Sequence, residues 1–452
     1  MKSIIEKQRA YFESGATRPL AHRLWALRRL KTVIRENERQ ITDALLSDLN
    51  KPREEAYLCE IGIVYEEIRY HLKHLRRWMK SRAVPTPIAQ FRSKSFVSPE
   101  PYGVVLIMAP WNYPLQLCLA PLIGAISAGN CAVVKPSAYA PATSRVVAKI
   151  VKEAFPPEYI TAVEGGREEN SALLRERFDY IFFTGSVSVG RLVMEAAARN
   201  LTPVSLELGG KSPVIVDESA DVTVAARRIA FGKTLNAGQT CVAPDYVFVE
   251  RSIKEKFVAA YREAIAEFFP DGNMQSFPHI VNDKHFDRLV GLMQGERVLL
   301  GGQSDREKRF IAPTLLDEVS PDAPIMQEEI FGPLLPILSF ESIEEPIDYI
   351  RKNPKPLALY LFTKSRAVER RVLDTLSFGG GCINDTVIHL ATPHMGFGGV
   401  GESGMGSYHG KASFDTFSHM RSIVRKAFFP DLPMRYRPYS EKKDKLIRKF
   451  LK

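Results

Sequence analysis

One of the five cysteines stands in a setting suited to chemistry. Cys241 lies in FGKTLNAGQTCVAPDYVFVE, after Gly238, Gln239 and Thr240 and before Pro244, in a turn between a helical and a strand pattern. A thiol nucleophile needs an exposed, rigidly aimed position with main-chain N–H groups nearby to favour the thiolate. On its own the residue reads more readily as a structural cysteine in a turn. Cys59, Cys118, Cys131 and Cys382 have helical, apolar or Gly-rich surroundings, where a thiol is a small hydrophobe. Glu207, in PVSLELGGKSP, ends an apolar run and precedes Gly209 and Gly210. That is the carboxyl end of a parallel strand, where open α/β sheets place their sites. Desolvation there lifts a carboxyl group toward the range useful to a general base. A glutamate that caps the next element is the plainer alternative.

Two more segments offer binding chemistry. In FFTGSVSVG (182–190) an apolar strand enters a Gly-containing turn and then the helical run GRLVMEAAA. Small residues admit a ligand close to the backbone, and a helix N-terminus offers free N–H groups to a phosphate. In APWNYP (109–114), Asn112 follows the strand GVVLIM and is flanked by Trp111 and Tyr113. Its amide can donate to an oxyanion, although asparagine is also an ordinary turn residue. A formal G-x-G-x-x-G at Gly396, Gly398 and Gly401 is followed by ESGMGSYHG, which is no helix start after a buried strand. It is a decoy.

The elements that must carry these residues follow from hydrophobic period. Residues 3–82 read as helix throughout, with Leu24, Leu27, Leu30 and Ile34, then Ile61, Val64, Ile68 and Leu72, at helical spacing. Arg23, Arg28, Lys31, Arg69, Lys73, Arg76 and Lys80 read as solvated faces. His71 and His74 lack a nearby third ligand, so no metal site is expected. From Tyr102, β-rich runs at 103–109, 131–134, 160–164, 179–183 and 203–207 alternate with helices expected near 115–127, 141–154, 167–175 and 188–199. A second series holds PVIVD, DYVFVE, ALYLFT and GGCIND. Continuous apolar strands between helices mean buried parallel sheets. The expected fold class is α/β. A Rossmann-like, dinucleotide-binding domain takes 1–82 and 101–207, and an α/β catalytic domain takes 208–415. A small β bridging or oligomerisation arm takes 83–100 and 416–436, and a basic amphipathic tail takes 437–452.

APWNYP, AGNCAVVKPS, FFTGSVSVG, LELGGKSP, GQTCVAP and EEIFGP, in this order, resemble the aldehyde dehydrogenase superfamily. The resemblance spans about residues 10–435. The stretch HMGFGGVGESGMGSYHGKASFDTFSH, with GQTCVAPDY, is similar to the class 3 branch that includes fatty aldehyde dehydrogenases. It implies that Cys241 is the nucleophile, Glu207 the general base, and Asn112 with the Cys241 N–H the oxyanion hole. It further implies that Gly185, Ser186 and Gly190 bracket a pyrophosphate and that Leu208 and Gly209 abut the cofactor. Glu329 and Phe331 would hold the nicotinamide ribose and ring. Lys135 would reach the adenosine ribose, its plainer reading being a surface lysine after a strand. The implied cofactor is NAD or NADP: the family commonly has Glu after Lys-Pro-Ser, whereas this chain has Ala138. Losing that carboxylate removes a like-charge obstacle to a 2′-phosphate, so dual use is expected. Tyr113 and the run Leu115–Leu119 suggest an apolar pocket. The resemblance points to medium- or long-chain aliphatic or aromatic aldehydes, and to a homodimer joined through 83–100 and a strand at 422–429. A CoA-acylating dehydrogenase or acyl reductase is the nearest rival, disfavoured by Glu207. A non-catalytic protein on this fold is disfavoured by the intact Cys241, Glu207 and Asn112.

Composition agrees with a globular enzyme: 45% of the 452 residues are apolar and 25% charged. The net charge is +10, but Arg435–Lys452, with eight basic and two acidic side chains, supply +6 of it. A nearly neutral body argues against a nucleic-acid partner. Unpaired cysteine spacing, no signal-peptide pattern and no membrane-length apolar run suggest a cytoplasmic protein. H-E-x-x-H and G-x-S-x-G are absent, which removes metallohydrolase and serine-hydrolase readings. In the tail, Ser440 can cap a helix whose Leu446, Ile447, Phe450 and Leu451 share one face. That helix is expected either to stay solvated or dimer-packed, or to touch anionic membrane surfaces weakly through 440–452.

Overall fold

The apolar runs become two parallel sheets in the computed structural model, which describes residues 1–451. The first sheet has six strands in the order Gly404–Met405, Val204–Glu207, Tyr180–Thr184, Val104–Met108, Cys131–Lys135 and Ile160–Ala162. All its pairs are parallel except that of Gly404–Met405 with Val204–Glu207. The chain starts at Val104–Met108, moves outward on one side, then returns to the other side with Tyr180–Thr184. The strand order therefore reverses between the end of Val104–Met108, which leads into APWNYP, and the end of Tyr180–Thr184, which leads into Gly185–Ser186. Ligands of doubly wound sheets sit at this kind of reversal.

The second sheet runs Arg297–Leu300, Thr314–Asp317, Leu334–Phe340, Tyr246–Glu250, Pro213–Val216, Ala358–Phe362 and Gly380–Ile383. Only the Arg297–Leu300 pair is antiparallel. Strand periodicity sorts its side chains: Val214, Val216, Val247 and Val249 join the large core shared with the first sheet. Ile215, Tyr246, Phe248, Leu359 and Leu361 join a second core on the other face. Burial on both faces is why these strands read as unbroken apolar runs. Gly404–Met405 returns to the first sheet, so the span 208–415 does not stay with the second one.

The amino-terminal tract departs from one continuous helix. It consists of helices Lys2–Glu13, Leu20–Glu36, Glu38–Leu49, Arg53–Ala56 and Gly62–Trp78, broken at Gly15–Pro19 and Asn50–Pro52. Between the last two, Tyr57–Ile61 forms a π-helical turn in which the Gly62 N–H donates to the Tyr57 carbonyl, five residues back. A β-carbon on Gly62 would lie 2.8 Å from that oxygen, so glycine permits the turn. Arg23 also departs from expectation: it is buried, donating from Nε to the Thr17 carbonyl at 3.1 Å and from Nη1 to the Ser127 carbonyl at 2.9 Å. It thereby satisfies a carbonyl at the end of helix Gln116–Ala128. The other six basic residues named with it are exposed.

The arm is a three-stranded antiparallel sheet of Arg82–Val84, Ser93–Pro101 and Ser418–Lys426. Its last strand lies earlier than the expected 422–429, leaving Phe428 and Phe429 exposed beyond it at 103% and 76%. Helix Glu441–Phe450 closes the described chain, and the Ser440 hydroxyl accepts the Lys443 N–H. No helix among the described residues is long and apolar enough to cross a membrane.

Candidate active site

The site begins where two loops meet. After Met108 the chain turns through Pro110, and Asn112 is buried at 2% exposure. Its Nδ2 donates to the Gln239 carbonyl at 3.0 Å, while its own main-chain carbonyl accepts from Asn236 Nδ2 at 2.8 Å and Lys51 Nζ at 3.1 Å. The facing loop is tight: Asn236, Ala237 and Gly238 have φ of 50°, 52° and 72° in succession. Left-handed backbone in two non-glycine residues persists only when surroundings over-determine it. Here Gln239 does so, donating to the Asn236 and His279 carbonyls at 3.1 and 3.0 Å and accepting the Val281 N–H at 3.0 Å. The Cys241 turn is braced by the Tyr360 hydroxyl, which donates to the Val242 carbonyl at 2.6 Å. Tyr113 and Thr240 hydroxyls pair at 2.5 Å.

Cys241 is half-buried. Desolvation, then the Glu329 and Glu207 carboxylates, push its thiol up to about 12, against the N–H groups of Cys241 and Val242. Glu207 is 3% exposed and neither carboxylate oxygen has a hydrogen-bond partner among the described residues. Burial raises its carboxyl well above the usual range. The main chain holds it in place, because the Gly185 N–H donates to the Glu207 carbonyl at 3.0 Å.

On the side of the sheet ends, helix Val187–Ala198 starts after Ser186, whose hydroxyl accepts the Val189 N–H at 3.4 Å. Gly190 lets that helix approach Leu208: a β-carbon there would be 2.7 Å from Leu208 Cδ2. The Leu208 N–H donates to the Ser403 carbonyl at 3.1 Å. A cleft of about 260 Å³ is lined by Val187, Gly209, Gly210, Lys211 and Glu329, among others. A β-carbon at Gly209 would overlap the Glu329 carboxylate. Burial, then Asp245, push the Glu329 carboxyl up to about 8, while the Gly210 N–H opposes the shift. Phe331 has φ 50° and meets Trp111 edge-on at 5.4 Å. Lys135 is buried, with Nζ on the Pro136 and Gly165 carbonyls at 2.8 and 2.7 Å, which is not the surface lysine of the plainer reading. Ala138 is exposed.

A second cavity of about 150 Å³ contains Cys241 and Tyr113 in its wall. Its lining is mostly apolar, including Leu117, Phe231 and Leu235, and its exposed rim carries Leu58 and Ile388 at 59% and 53%. Cys59 lines it too, so this thiol is more than helix filling. Leu115, Cys118 and Leu119 are fully buried in the core instead.

Several contributors were not singled out in the sequence. Lys211 Nζ reaches Asp245 Oδ2 at 2.5 Å and the Ile325 and Glu328 carbonyls at 2.9 and 2.8 Å, and Asp245 Oδ1 accepts the Ile330 N–H at 3.0 Å. This pair fixes the loop that bears Glu329 and Phe331. Both residues lie inside quoted motifs, GGKSP and APDY, which was the available signal. Lys51, Glu60 and Asn236 carried none. The glycine decoy forms a loop ending in the single 3-10 turn Gly401–Ser403, yet Glu402 and Ser403 border the cleft. His71 is buried between Ser127 Oγ at 2.6 Å and Glu67 Oε1 at 3.0 Å.

A model of the aldehyde dehydrogenase family matches residues 1–423. The 4,4'-diaponeurosporen-aldehyde dehydrogenase of Staphylococcus aureus is 48% identical over 458 residues, covering 100% of both chains. Aldehyde dehydrogenase family 3 member B1 of Mus musculus is 45% identical, covering 97% of this chain and 94% of its own. Among solved structures, the substrate-bound state of Staphylococcus aureus AldH superposes with a TM-score of 0.97 at 47% identity, covering 100% of this chain and 99% of that one.

Proposed function

Because the chain belongs to the aldehyde dehydrogenase family, we propose that it oxidises medium- or long-chain aliphatic or aromatic aldehydes to carboxylic acids through Cys241 and Glu207. The observation that carries this reading is the apolar cavity with Cys241 in its wall, close to an unpartnered, buried Glu207. Reacting as the thiolate after its proton passes to solvent, the Cys241 sulfur bonds to the aldehyde carbon while the carbonyl π pair moves to oxygen. There the Asn112 amide and the Cys241 N–H receive the charge. Aldehyde dehydrogenases use NAD or NADP, and the bound nicotinamide supplies the hydride acceptor. Cys241 is left carrying the acyl group as a thioester. Glu207 takes a proton from water as its oxygen attacks the acyl carbon, the C–S bond breaks, and the thiolate returns.

The cleft supports the dinucleotide assignment. The helix start at Ser186 offers free N–H groups, and Gly209 has no β-carbon to separate a ligand from Glu329. Gly185 and Gly190 would flank the pyrophosphate, Lys135 the adenosine ribose, and Glu329 and Phe331 the nicotinamide end. The open position at Ala138 supports use of both NAD and NADP. The Staphylococcus relative is named for 4,4'-diaponeurosporen-aldehyde, and the apolar rim of Leu58 and Ile388 supports a long substrate here too. Five free cysteines suit a reducing compartment such as the cytoplasm.

We assign 1–82 and 101–207 to cofactor binding, 208–415 to catalysis and the arm to homodimer formation, since an exposed β-arm needs a partner. The basic helix of the tail, with the exposed Phe428 and Phe429 earlier in the chain, supports weak membrane contact. The deciding assay is NADH formation with alkanals of increasing length, with and without CoA. CoA-independent acid formation is expected, with kcat/KM rising about fourfold per methylene while the chain still gains apolar burial. Absolute dependence on CoA would transfer the protein to the acylating class.

A further inference from the structure

The segment Lys51–Ile61 contains no residue assigned to the chemistry, yet it grips both loops of the site. Lys51 and Glu60 form an ion pair at 2.6 Å with both side chains 0% exposed. The same Lys51 Nζ donates to the Asn112 carbonyl at 3.1 Å and stands 4.3 Å from the centre of the Tyr113 ring. The other Glu60 oxygen accepts the N–H groups of Leu115 and Gln116 at 2.8 and 3.2 Å. One ion pair thus holds the 112–116 turn at both ends. Four residues along the same segment, Glu55 accepts the Asn236 N–H at 2.7 Å, and Asn236 is the second donor to the Asn112 carbonyl.

We propose that Lys51, held by Glu60, is a positioning residue that sets the Asn112 amide for the oxyanion. The proposal rests on the reading of Asn112 as oxyanion donor. A fully buried ion pair is a poor device for stability alone, because desolvating two charges offsets much of their attraction and apolar side chains of the same volume pack as well. What apolar replacements cannot do is donate to a carbonyl. The Asn112 carbonyl has two acceptor sites, and Lys51 and Asn236 occupy both. Losing one lets the peptide rotate, and a displacement of about 1 Å at a reacting group lowers rates by about a hundredfold.

The test is a double-mutant cycle read as single-turnover hydride transfer with an alkanal and NAD. Lys51→Met/Glu60→Gln removes both members of the pair at once, while the nearby Glu55 carboxyl, whose charged form Lys51 favours, keeps its Asn236 N–H. It is expected to slow hydride transfer about ten- to hundredfold. The KM for NAD and the iodoacetamide alkylation rate of Cys241, which report the fold and the thiol, are expected to hold. In an Asn112→Ala background the same change is expected to cost nothing further, because its target is gone. Glu60→Gln alone keeps an acceptor for the two N–H groups and serves as the second variant, with the same pattern at smaller amplitude. Multiplying losses in the Asn112→Ala background, or a full rate in Lys51→Met/Glu60→Gln, would overturn the proposal. A full rate in Asn112→Ala itself would remove the oxyanion reading and the proposal with it.

Discussion

Asn112 donates one N–H of its side-chain amide to the main-chain carbonyl of Gln239, 3.0 Å away, which leaves only the second N–H for a developing charge. The Gln239 carbonyl also fixes which end of the amide points inward, since an amide oxygen there would face another acceptor. Asn112→Ala is expected to slow hydride transfer about 10²- to 10³-fold in single-turnover assays. Asn112→Asp should be slower still, because its carboxylate opposes both the Gln239 carbonyl and the oxyanion. Asp matching or exceeding Ala would mean that the donor is not the operative feature.

The role proposed for Glu207 lies in the second half of the cycle. Glu207→Gln is expected to leave a burst of NADH close to one per subunit and to slow turnover about 10²- to 10⁴-fold, the usual contribution of a general base. Equal loss in burst rate and turnover would reassign the residue to acylation.

The same carboxyl group has a cost in stability whose sign is fixed by its environment. Burial without a partner raises its folded-state pKa above the ordinary 4.5. Its contribution is therefore intact below 4.5 and is lost as pH rises toward the folded-state value. Glu207→Gln carries no such penalty, so it should be more stable than the parent at neutral pH, by about 1–3 kcal/mol. The gap is expected to widen as pH rises from the ordinary carboxyl range toward neutral. A gap that shrinks over that range in thermal melts would contradict the burial argument.

Cofactor choice is testable at one exposed position. The parent should show an NAD over NADP ratio of kcat/KM below about a thousand, a gap of about 4 kcal/mol. Ala138→Glu should raise the ratio mainly by weakening NADP, as a carboxylate faces the 2′-phosphate.

For the tail, a chain ending at Tyr439 loses helix Glu441–Phe450 and most of the local positive charge. Each basic residue near an anionic bilayer contributes about 1 kcal/mol, screened by salt. Sedimentation with anionic vesicles at low salt should therefore fall to background on truncation while kcat for a short alkanal is retained. Equal binding by both chains would leave the helix solvated or packed in a dimer.

The contrast between what motifs reveal and what they hide is physical. Cys241, Glu207 and Asn112 stand out in the sequence because each lies at the end of a sheet strand or in the turn next to one, where residue type is tied to local geometry. Strand Leu334–Phe340 does not, since Pro336 inside LLPILSF argues against a central strand. The fold accommodates it at the point where pairing with Thr314–Asp317 stops and pairing with Tyr246–Glu250 begins. Arg23 looked like a solvated charge because a helical wheel records one helix only, and its acceptor is the end of another. Lys51 and Glu60 failed for the same reason: nine residues apart and joined to residue 112, they form a contact with no local period.

The π-turn at Tyr57–Ile61 makes the amino-terminal helices a setting screw for the active site. One surplus residue turns everything beyond it by about 100° relative to an ordinary helix. In this phase Glu60 faces the ion pair and Cys59 faces the cavity. Deleting Tyr57 or Leu58 would restore regular helix and turn both away together, even though neither residue is altered. Helical phase in a segment with no catalytic residue thus joins substrate shape to charge stabilisation, and the two can be expected to change together.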